Sequence, residues 1–367
     1  VSTRILLDAR AAQRTVDGIT RFSTEVTGQL ARLREDWDMA VLVHPSAACH
    51  FEPLGVEVIH STVPRFKPGE DARLSPLFRR LKPDAYVNFS LAGPTPAGVP
   101  TIITVHDLMV LSVPCYFGNG IIRNALYRRR FRAIIGRSAS HASAIACPGV
   151  TTQRDIGRRF PDAADKVFVT GEGQSLFSAG DGRVKGRENG PFLVVGNARA
   201  YKNLPRLLTA YGRVWAMNRD TPPMVMAVRN DRAFREFRTH LSTNPAAERI
   251  TVLSGVSDTE LKDLYLSCRA LLMPSVYEGF GLPALEAMAS GAPVMISKGT
   301  ALEELAGDTG VPVDPYSVTD IARGIAVLSV ATPFELSEMG TLAIRRASSF
   351  SWEKTARSYA GIIGGLP

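Results

Sequence analysis

Short apolar runs of strand length alternate with longer helical patterns along this chain, and the alternation starts afresh after about residue 170. In the first series residues 5–7, 40–43, 56–59, 85–87, 101–105 and 143–147 read as strands. Residues 21–33 place Phe22, Val26, Leu30 and Leu33 on one helical face. In the second series residues 192–195, 224–228, 250–253, 270–273 and 293–296 read as strands. Helices are expected over 204–217 and around 258–267 and 283–290. Continuously apolar strands separated by helices predict parallel sheets covered on both faces. The expected fold class is therefore α/β, with two Rossmann-like, doubly wound domains and a cleft between them, where the carboxyl ends of parallel strands bind ligands. A chain of 367 residues is long enough for two such cores. The segment 171–189 is rich in Gly and charge and lacks periodicity, which makes it the expected linker.

Charge is unevenly placed along the chain. The net charge is +8, and residues 1–170 carry 22 Lys and Arg against 15 Asp and Glu. A basic excess of this kind attracts phosphate, on lipid, nucleic acid or a soluble ligand. Its sharpest cluster is Arg128, Arg129 and Arg130 with Arg132 and Arg137, interleaved with Leu126, Phe131, Ile134 and Ile135. At helical spacing that composition suits contact with an anionic membrane surface, the alternative being a solvated arginine face over an ordinary core stripe. The four cysteines, Cys49, Cys115, Cys147 and Cys268, have no paired spacing and read as buried free thiols. Arg4 is followed at once by a strand and Asp8, so neither a secretory leader nor a membrane span is expected, and the expected location is cytoplasmic, peripheral at the inner membrane face. No G-x-G-x-x-G follows the first strand and no Walker A loop is present, which disfavours ordinary NAD enzymes and P-loop ATPases. Asp36-Trp37-Asp38 has the form of a D-x-D metal motif but falls before the second strand, where a solvated turn is expected; no metal site is expected.

The informative stretch is residues 274–293. It follows an apolar strand, so Ser275 to Gly281 make the loop at that strand's carboxyl edge. Gly279 and Gly281 let backbone approach a ligand closely, and Pro283 suits a first helical turn. Amides at that helix start form an anion site fit for a diphosphate. Glu278 and Glu286 flank it. Carboxylates repel phosphate but accept hydrogen bonds from paired hydroxyls, which makes sugar and ribose their natural partners. The alternative is that Glu286 serves its own helix.

Glu278 and Glu286 stand in an E-x7-E arrangement inside P-S-x-x-E-G-F-G-L-P-x-L-E-A-M-A-x-G-x-P-V. This resembles the signature of the retaining GT-B glycosyltransferases of family 4. The likeness extends along the chain to Leu264-Tyr265, Glu303-Glu304, Val313-Asp314-Pro315 and Phe350-Ser351-Trp352. It implies an N-terminal acceptor-binding domain over 1–170, a nucleotide-sugar-binding domain over 171–345, and a last helix over 346–367 that returns to the first domain. It further implies that Glu286 takes the donor ribose and Glu278 the transferred sugar, with the Gly279, Phe280, Gly281 and Leu282 backbone serving sugar hydroxyls and phosphate. Lys202 takes the family lysine position, where an ammonium neutralises charge growing on the leaving diphosphate. Where the family often has Arg after a glycine, this chain has Asn197, so either Lys202 works alone or Arg199 approaches from a shifted loop. Gly18 resembles the glycine of the family's first loop, though Thr20 replaces its second. His106-Asp107 resembles the family's H-D, whose imidazole faces sugar and acceptor. Glu172 stands where an asparagine is common, and Gly149 where a serine is.

The reaction implied is transfer of a hexose from a nucleotide-diphosphate sugar to a hydroxyl, with retention and no required metal or other cofactor. The acceptor implied is a glycan or lipid-linked molecule of cell-surface polysaccharide or glycoconjugate synthesis. The H-D and K-N-L features lean towards mannosyltransferases and GDP-mannose. The rival readings are a nucleotide-sugar epimerase or hydrolase on the same fold, and a non-catalytic basic protein binding membrane or nucleic acid. The intact E-x7-E and Lys202 argue against the latter, and no nucleic-acid partner is expected.

Overall fold

The structure, a computed structural model, describes residues 2–114, 116–118, 120–178, 180–182 and 185–366. The chain divides into two compact units, Val1–Gly173 with Ser351–Pro367, and Gln174–Phe350. In the first unit β1 (Thr3–Asp8), β2 (Trp37–Val43), β3 (Glu57–His60), β4 (Ala85–Asn88), β5 (Thr101–Thr104), β6 (Ala144–Cys147) and β7 (Val167–Val169) form one parallel sheet. Its spatial order is β3-β2-β1-β4-β5-β6-β7. Helices α1 (Gly18–Leu33), α2 (Glu70–Leu81), α3 (Met109–Ser112), α4 (Ile121–His141) and α5 (Val150–Arg159) lie between the strands in sequence. Ile5, Leu6 and Leu7 are buried on both faces of the sheet, which is why that strand reads as a solid apolar run.

The second unit repeats the plan. Strands β8 (Phe192–Gly196), β9 (Met224–Val228), β10 (Ile250–Leu253), β11 (Ala270–Met273), β12 (Val294–Ser297) and β13 (Val311–Val313) form a parallel sheet in the order β10-β9-β8-β11-β12-β13. Helices α6 (Leu204–Met217), α7 (Arg232–Ser242), α8 (Asp258–Ser267), α9 (Leu282–Ala289), α10 (Ala301–Ala306), α11 (Val318–Val330) and α12 (Pro333–Ala347) accompany it. The last helix, α13 (Trp352–Gly364), belongs to the first unit. It packs on α1, with Tyr359 and Trp352 edge-on to Phe22 and the Tyr359 hydroxyl 2.7 Å from Thr104 Oγ1.

Both sheets reverse their direction of growth once, between β1 and β4 in the first unit and between β8 and β11 in the second. At such a switch point the loops leaving the two strands diverge to opposite sides and leave a crevice at the carboxyl ends. The loops after β8 and β11 carry Lys202 and Glu278.

Several sequence expectations need correction. β2 already begins at Trp37, which is buried, so Asp36-Trp37-Asp38 is not a free turn. Asp36 pairs with Arg34 at 2.6 Å and Asp38 with Arg4 at 2.5 Å. Among the described residues no group of three or more His, Cys, Asp or Glu could hold a metal ion. Cys147 and Cys268 are buried, but Cys49 is exposed, and Cys115 lies outside the described residues. On α4, Ile135 is buried and Phe131 and Ile134 are half-buried, whereas Leu126 is 65% exposed and does not join the core stripe. No described helix is long and apolar enough to cross a membrane.

The expected linker is not a passive tether. Residues 179, 183 and 184 lie outside the described residues, but Glu172 and Arg187 are buried. Arg187 donates to the carbonyls of Tyr265 (2.8 Å), Cys268 (2.7 Å) and Ser290 (2.6 Å). Those carbonyls close the carboxyl ends of α8 and α9, where the last turns have no partners of their own and the helix dipole favours a cation. Arg187 thus clamps the two helices side by side. Without Arg187 the Tyr265 carbonyl keeps Ser290 Oγ at 3.1 Å, but those of Cys268 and Ser290 are left bare, at about 1–3 kcal/mol each. Arg187→Met, which keeps the volume but removes the donors, is expected to destabilise the C-terminal unit by roughly 3 kcal/mol or more in urea denaturation; a change below about 1 kcal/mol would show that the clamp is dispensable.

Candidate active site

In the C-terminal unit β8 ends at Gly196 with φ +141, a backbone conformation that side-chain-bearing residues rarely adopt. A Cβ there would lie 3.1 Å from Lys202 Cε and 3.4 Å from its Nζ. The glycine therefore gives the loop its bend and leaves the channel through which Lys202 returns beneath it. Lys202 ends a short 3₁₀ turn, Ala200–Lys202, and Asn203 follows in a left-handed conformation at φ 60. The buried Asn203 amide donates to the carbonyls of Pro274 (2.9 Å) and Pro315 (2.6 Å). Val276 N reaches the Tyr201 carbonyl at 2.8 Å. Loops leaving β8, β11 and β13 are thereby tied together at one edge of the sheet.

These ties bring Lys202 Nζ to 2.8 Å from Glu278 Oε1, with side chains 9% and 11% exposed. The two atoms are close enough to pair as ions but out of line for a hydrogen bond. Gly281 starts α9 at φ +112, and a Cβ on it would strike Leu302 Cδ2 at 2.5 Å. Glycine here serves both the turn and the close approach of α9 to α10. No side chain caps the start of α9, and Pro283 occupies its first turn. Phe280 is buried edge-on to Phe350 at 5.6 Å, which fixes the turn before the helix. Glu286 is buried one turn further on, and its Oε2 accepts from the Tyr265 phenol at 2.9 Å. The Tyr265 ring comes from α8, the helix that Arg187 clamps to α9.

Structure thus places Lys202, Glu278, Gly279, Phe280, Gly281, Leu282 and Glu286 around the switch point of one sheet. Arg199 is on the same loop, but its side chain is exposed while Lys202 is buried. Asn197 spends its amide on the loop itself, its Nδ2 donating to Tyr201 Oη at 2.8 Å and its Oδ1 accepting from Arg199 N at 3.1 Å.

Gly18 and His106 lie in the N-terminal unit. Gly18 opens α1, capped by Asp17, whose carboxylate accepts from Thr20 N at 2.9 Å and Thr20 Oγ1 at 2.8 Å. Thr20 Oγ1 also accepts from Gln13 N at 2.9 Å, so the hydroxyl closes the loop where a second glycine was expected. One turn into α1, Phe22 stands edge-on to the His106 ring at 4.5 Å. His106 Nδ1 lies 3.2 Å from Glu172 Oε1, and Nε2 lies 3.3 Å from the Phe89 carbonyl. Two acceptors on two ring nitrogens suit the imidazolium. Burial opposes that charge, yet Glu172, helped by Asp107 and the Phe89 carbonyl, holds the imidazole above its ordinary value.

Residues 184–331 match the family described as glycosyl transferases group 1. The chain is 33% identical over 272 residues to an O-antigen chain mannosyltransferase B of Escherichia coli, covering 69% of this chain and 67% of that one. The chain belongs to the glycosyl transferases group 1 family. A second relative, the O-antigen chain mannosyltransferase RfbU of Salmonella typhimurium, is 27% identical over 303 residues, 78% of this chain and 80% of its own. Among solved structures, the sucrose-phosphate synthase of Thermosynechococcus elongatus superposes with a TM-score of 0.76 at 18% identity, over 99% of each chain. This glycosyltransferase accordingly has the GT-B fold of two Rossmann-like parallel-sheet units, and its family implies a nucleotide-sugar donor and a glycan acceptor.

Sequence reasoning about the glycosyltransferase missed Asn203 as the knot of three loops, Tyr265 as the partner of Glu286, and Arg187 as the clamp behind both. Asn203 offered one signal, an asparagine directly before a helix beginning Leu-Pro. The Glu172 pairing offered none, since its partner is 66 residues away.

Because folded His106 titrates above its ordinary value of about 6.5, the pair's stabilisation is complete below about pH 6.5. It is lost as pH rises through the folded value. Glu172→Gln is expected to lower the His106 pKa in an NMR titration and to remove that part of the pH dependence of stability. An unchanged titration would show that Glu172 does not hold the charge.

Proposed function

We propose that this glycosyltransferase is a retaining member of family 4 that transfers mannose from GDP-mannose to a hydroxyl of a glycan or lipid-linked acceptor in cell-surface polysaccharide synthesis. The observation that carries the reading is the buried Lys202–Glu278 pair beside the β8–β11 switch point. A donor diphosphate entering there competes for Lys202 and frees Glu278 to accept from sugar hydroxyls. Glu286, aimed by Tyr265, takes the ribose hydroxyls. As the bond from the anomeric carbon to the diphosphate oxygen breaks, negative charge moves onto the diphosphate. Lys202 and the amides before α9 stabilise it without a metal ion. The acceptor oxygen forms the new bond to the anomeric carbon, and its proton passes to the departing diphosphate. The two O-antigen mannosyltransferase relatives support mannose as the sugar.

The acceptor side is the N-terminal unit, with His106 at the carboxyl end of β5. Contact with a membrane surface is drawn from the outward face of α4, where Ile121 (85%), Ile122 (77%) and Leu126 (65%) are exposed beside Arg123 and Arg129. Of the arginines expected there, Arg128 is half-buried and donates to the Val113 carbonyl at 2.5 Å, and Arg130, though exposed, donates to the Phe66 carbonyl at 2.7 Å. Arg129 with Arg123 is left to meet lipid phosphate, each worth about 1 kcal/mol.

Glu286→Ala is expected to weaken nucleotide binding in calorimetry on the order of tenfold to hundredfold, since each hydroxyl bond to a charged group is worth roughly 1.5–3 kcal/mol. Unchanged affinity would contradict the ribose assignment. Lys202→Met combined with Glu278→Gln, which leaves no buried charge unpaired, should retain the fold and lose on the order of 10²-fold or more in turnover at saturating donor. Product analysis with and without acceptor separates transfer from hydrolysis or epimerisation. Wild-type protein should sediment with anionic vesicles at low salt, and a variant with Ile122, Leu126 and Arg129 all changed to Ser should not; if neither sediments, the acceptor is met in solution.

A further inference from the structure

The N-terminal sheet has its own switch point, between β1 and β4, and a buried charged cluster sits at it. Asp8, the last residue of β1, accepts from Arg10 through both oxygens at 2.6–3.1 Å and from the Tyr86 phenol at 2.5 Å. Arg10 also reaches Glu70 Oε1 at 2.8 Å and the Val63 carbonyl at 3.1 Å. The other Glu70 oxygen takes the Phe66 amide at 2.7 Å. Each of these groups is engaged inside the cluster.

Arg65 stands apart from them. It is half-buried and feels Asp8, Arg10, Glu70 and Tyr86. Among the described residues its guanidinium makes no hydrogen bond and no ion pair, and lies only over the Phe66 ring, 4.6 Å from the centroid. Burial lowers its hold on the proton, with Asp8 acting against that. A purely structural arginine would take Asp8 or Glu70, but Arg10, Tyr86 and the Phe66 amide already use them.

The loop that carries Arg65 is held under strain. Phe66 has φ 59, a left-handed conformation that an aromatic residue adopts only when its surroundings impose it. Three contacts do so here. Glu70 takes the Phe66 amide, Arg130 of α4 donates to its carbonyl at 2.7 Å, and Phe131 packs edge-on to its ring at 5.8 Å. Arg10 and Arg65 balance the two carboxylates, and the Arg65 guanidinium is left to present a fork of donors matched to a planar or tetrahedral oxyanion.

We propose that Arg65 binds an oxyanion, a phosphate or carboxylate, carried by the acceptor, at the switch point of the N-terminal sheet. This rests on the reading of the N-terminal unit as the acceptor side. The β5 strand that leads to His106 is two strands from β1, roughly 10 Å across the sheet. Asp8 ends β1 and His106 follows β5, both at the carboxyl edge of this one sheet.

The test follows the Arg65 side-chain Nε–H and the Phe66 amide by NMR in the full chain, titrated with inorganic phosphate and, separately, with acetate, at ionic strength held constant with chloride. Both signals are expected to shift saturably with one of the two anions. Tighter binding of phosphate identifies a phosphorylated acceptor, and tighter binding of acetate an acidic sugar. In Arg65→Gln the Phe66 amide should need on the order of tenfold to hundredfold more anion, with Arg65→Lys, which keeps the charge without the fork, in between. Shifts no larger than with chloride alone, or a Phe66 titration unchanged in Arg65→Gln, would overturn the proposal. No nucleotide sugar enters the assay, so failure here is distinct from failure of the donor reading, which calorimetry tests.

Discussion

A lysine ammonium and a carboxylate, both about nine-tenths removed from water, face each other at 2.8 Å in the C-terminal unit. Lys202 and Glu278 do so because three loops leave one sheet edge and are knotted by Asn203. The pair could be discarded for apolar side chains with little loss of stability, as buried ion pairs generally can. Its retention makes sense as stored electrostatics. A cation already desolvated and held in place meets a diphosphate at small reorganisation cost. Gly196 makes this possible twice over, through its φ of +141 and the space it leaves for the lysine stem.

The two units use the same topology for different ends. Each sheet reverses once, and each reversal gathers charge, Lys202 with Glu278 in one and Asp8, Arg10 and Glu70 in the other. In the C-terminal unit the charges stay at a turn that backbone amides complete. In the N-terminal unit they are buried beneath a loop that keeps one guanidinium out of the exchange. Behind the donor turn stands a second tier of support: Arg187 joins the ends of α8 and α9, and that contact lets Tyr265 meet Glu286.

Much of this was legible in the order of residues, for definite reasons. Central parallel strands such as β1, β8 and β11 are buried on both faces and appear as unbroken apolar runs, so they were readable to within a residue or two. Of the edge strands, β3 and β10 were readable as well, but β7 and β13 were not. β7 exposes Phe168 and Val169, and β13 is three residues long with Pro312 in the middle. Helix α2 was hidden by its interior Pro76, and α7 by a face with only Phe234 and Phe237 buried. Glu278 and Glu286 were visible because the glycines and proline around them announce a turn. Arg187 was not, because its partners are carbonyls, which any residue supplies. Leu126 shows the reverse error, an apolar residue at helical spacing that the fold leaves outside.

The most direct measurement is a crystal structure of the complex with a nucleoside diphosphate. The account predicts Lys202 Nζ within hydrogen-bond distance of the terminal phosphate, Glu278 released from it, and Glu286 accepting from the ribose hydroxyls. A nucleotide bound elsewhere, or bound here with the Lys202–Glu278 pair intact and no phosphate contact from the lysine, would contradict it.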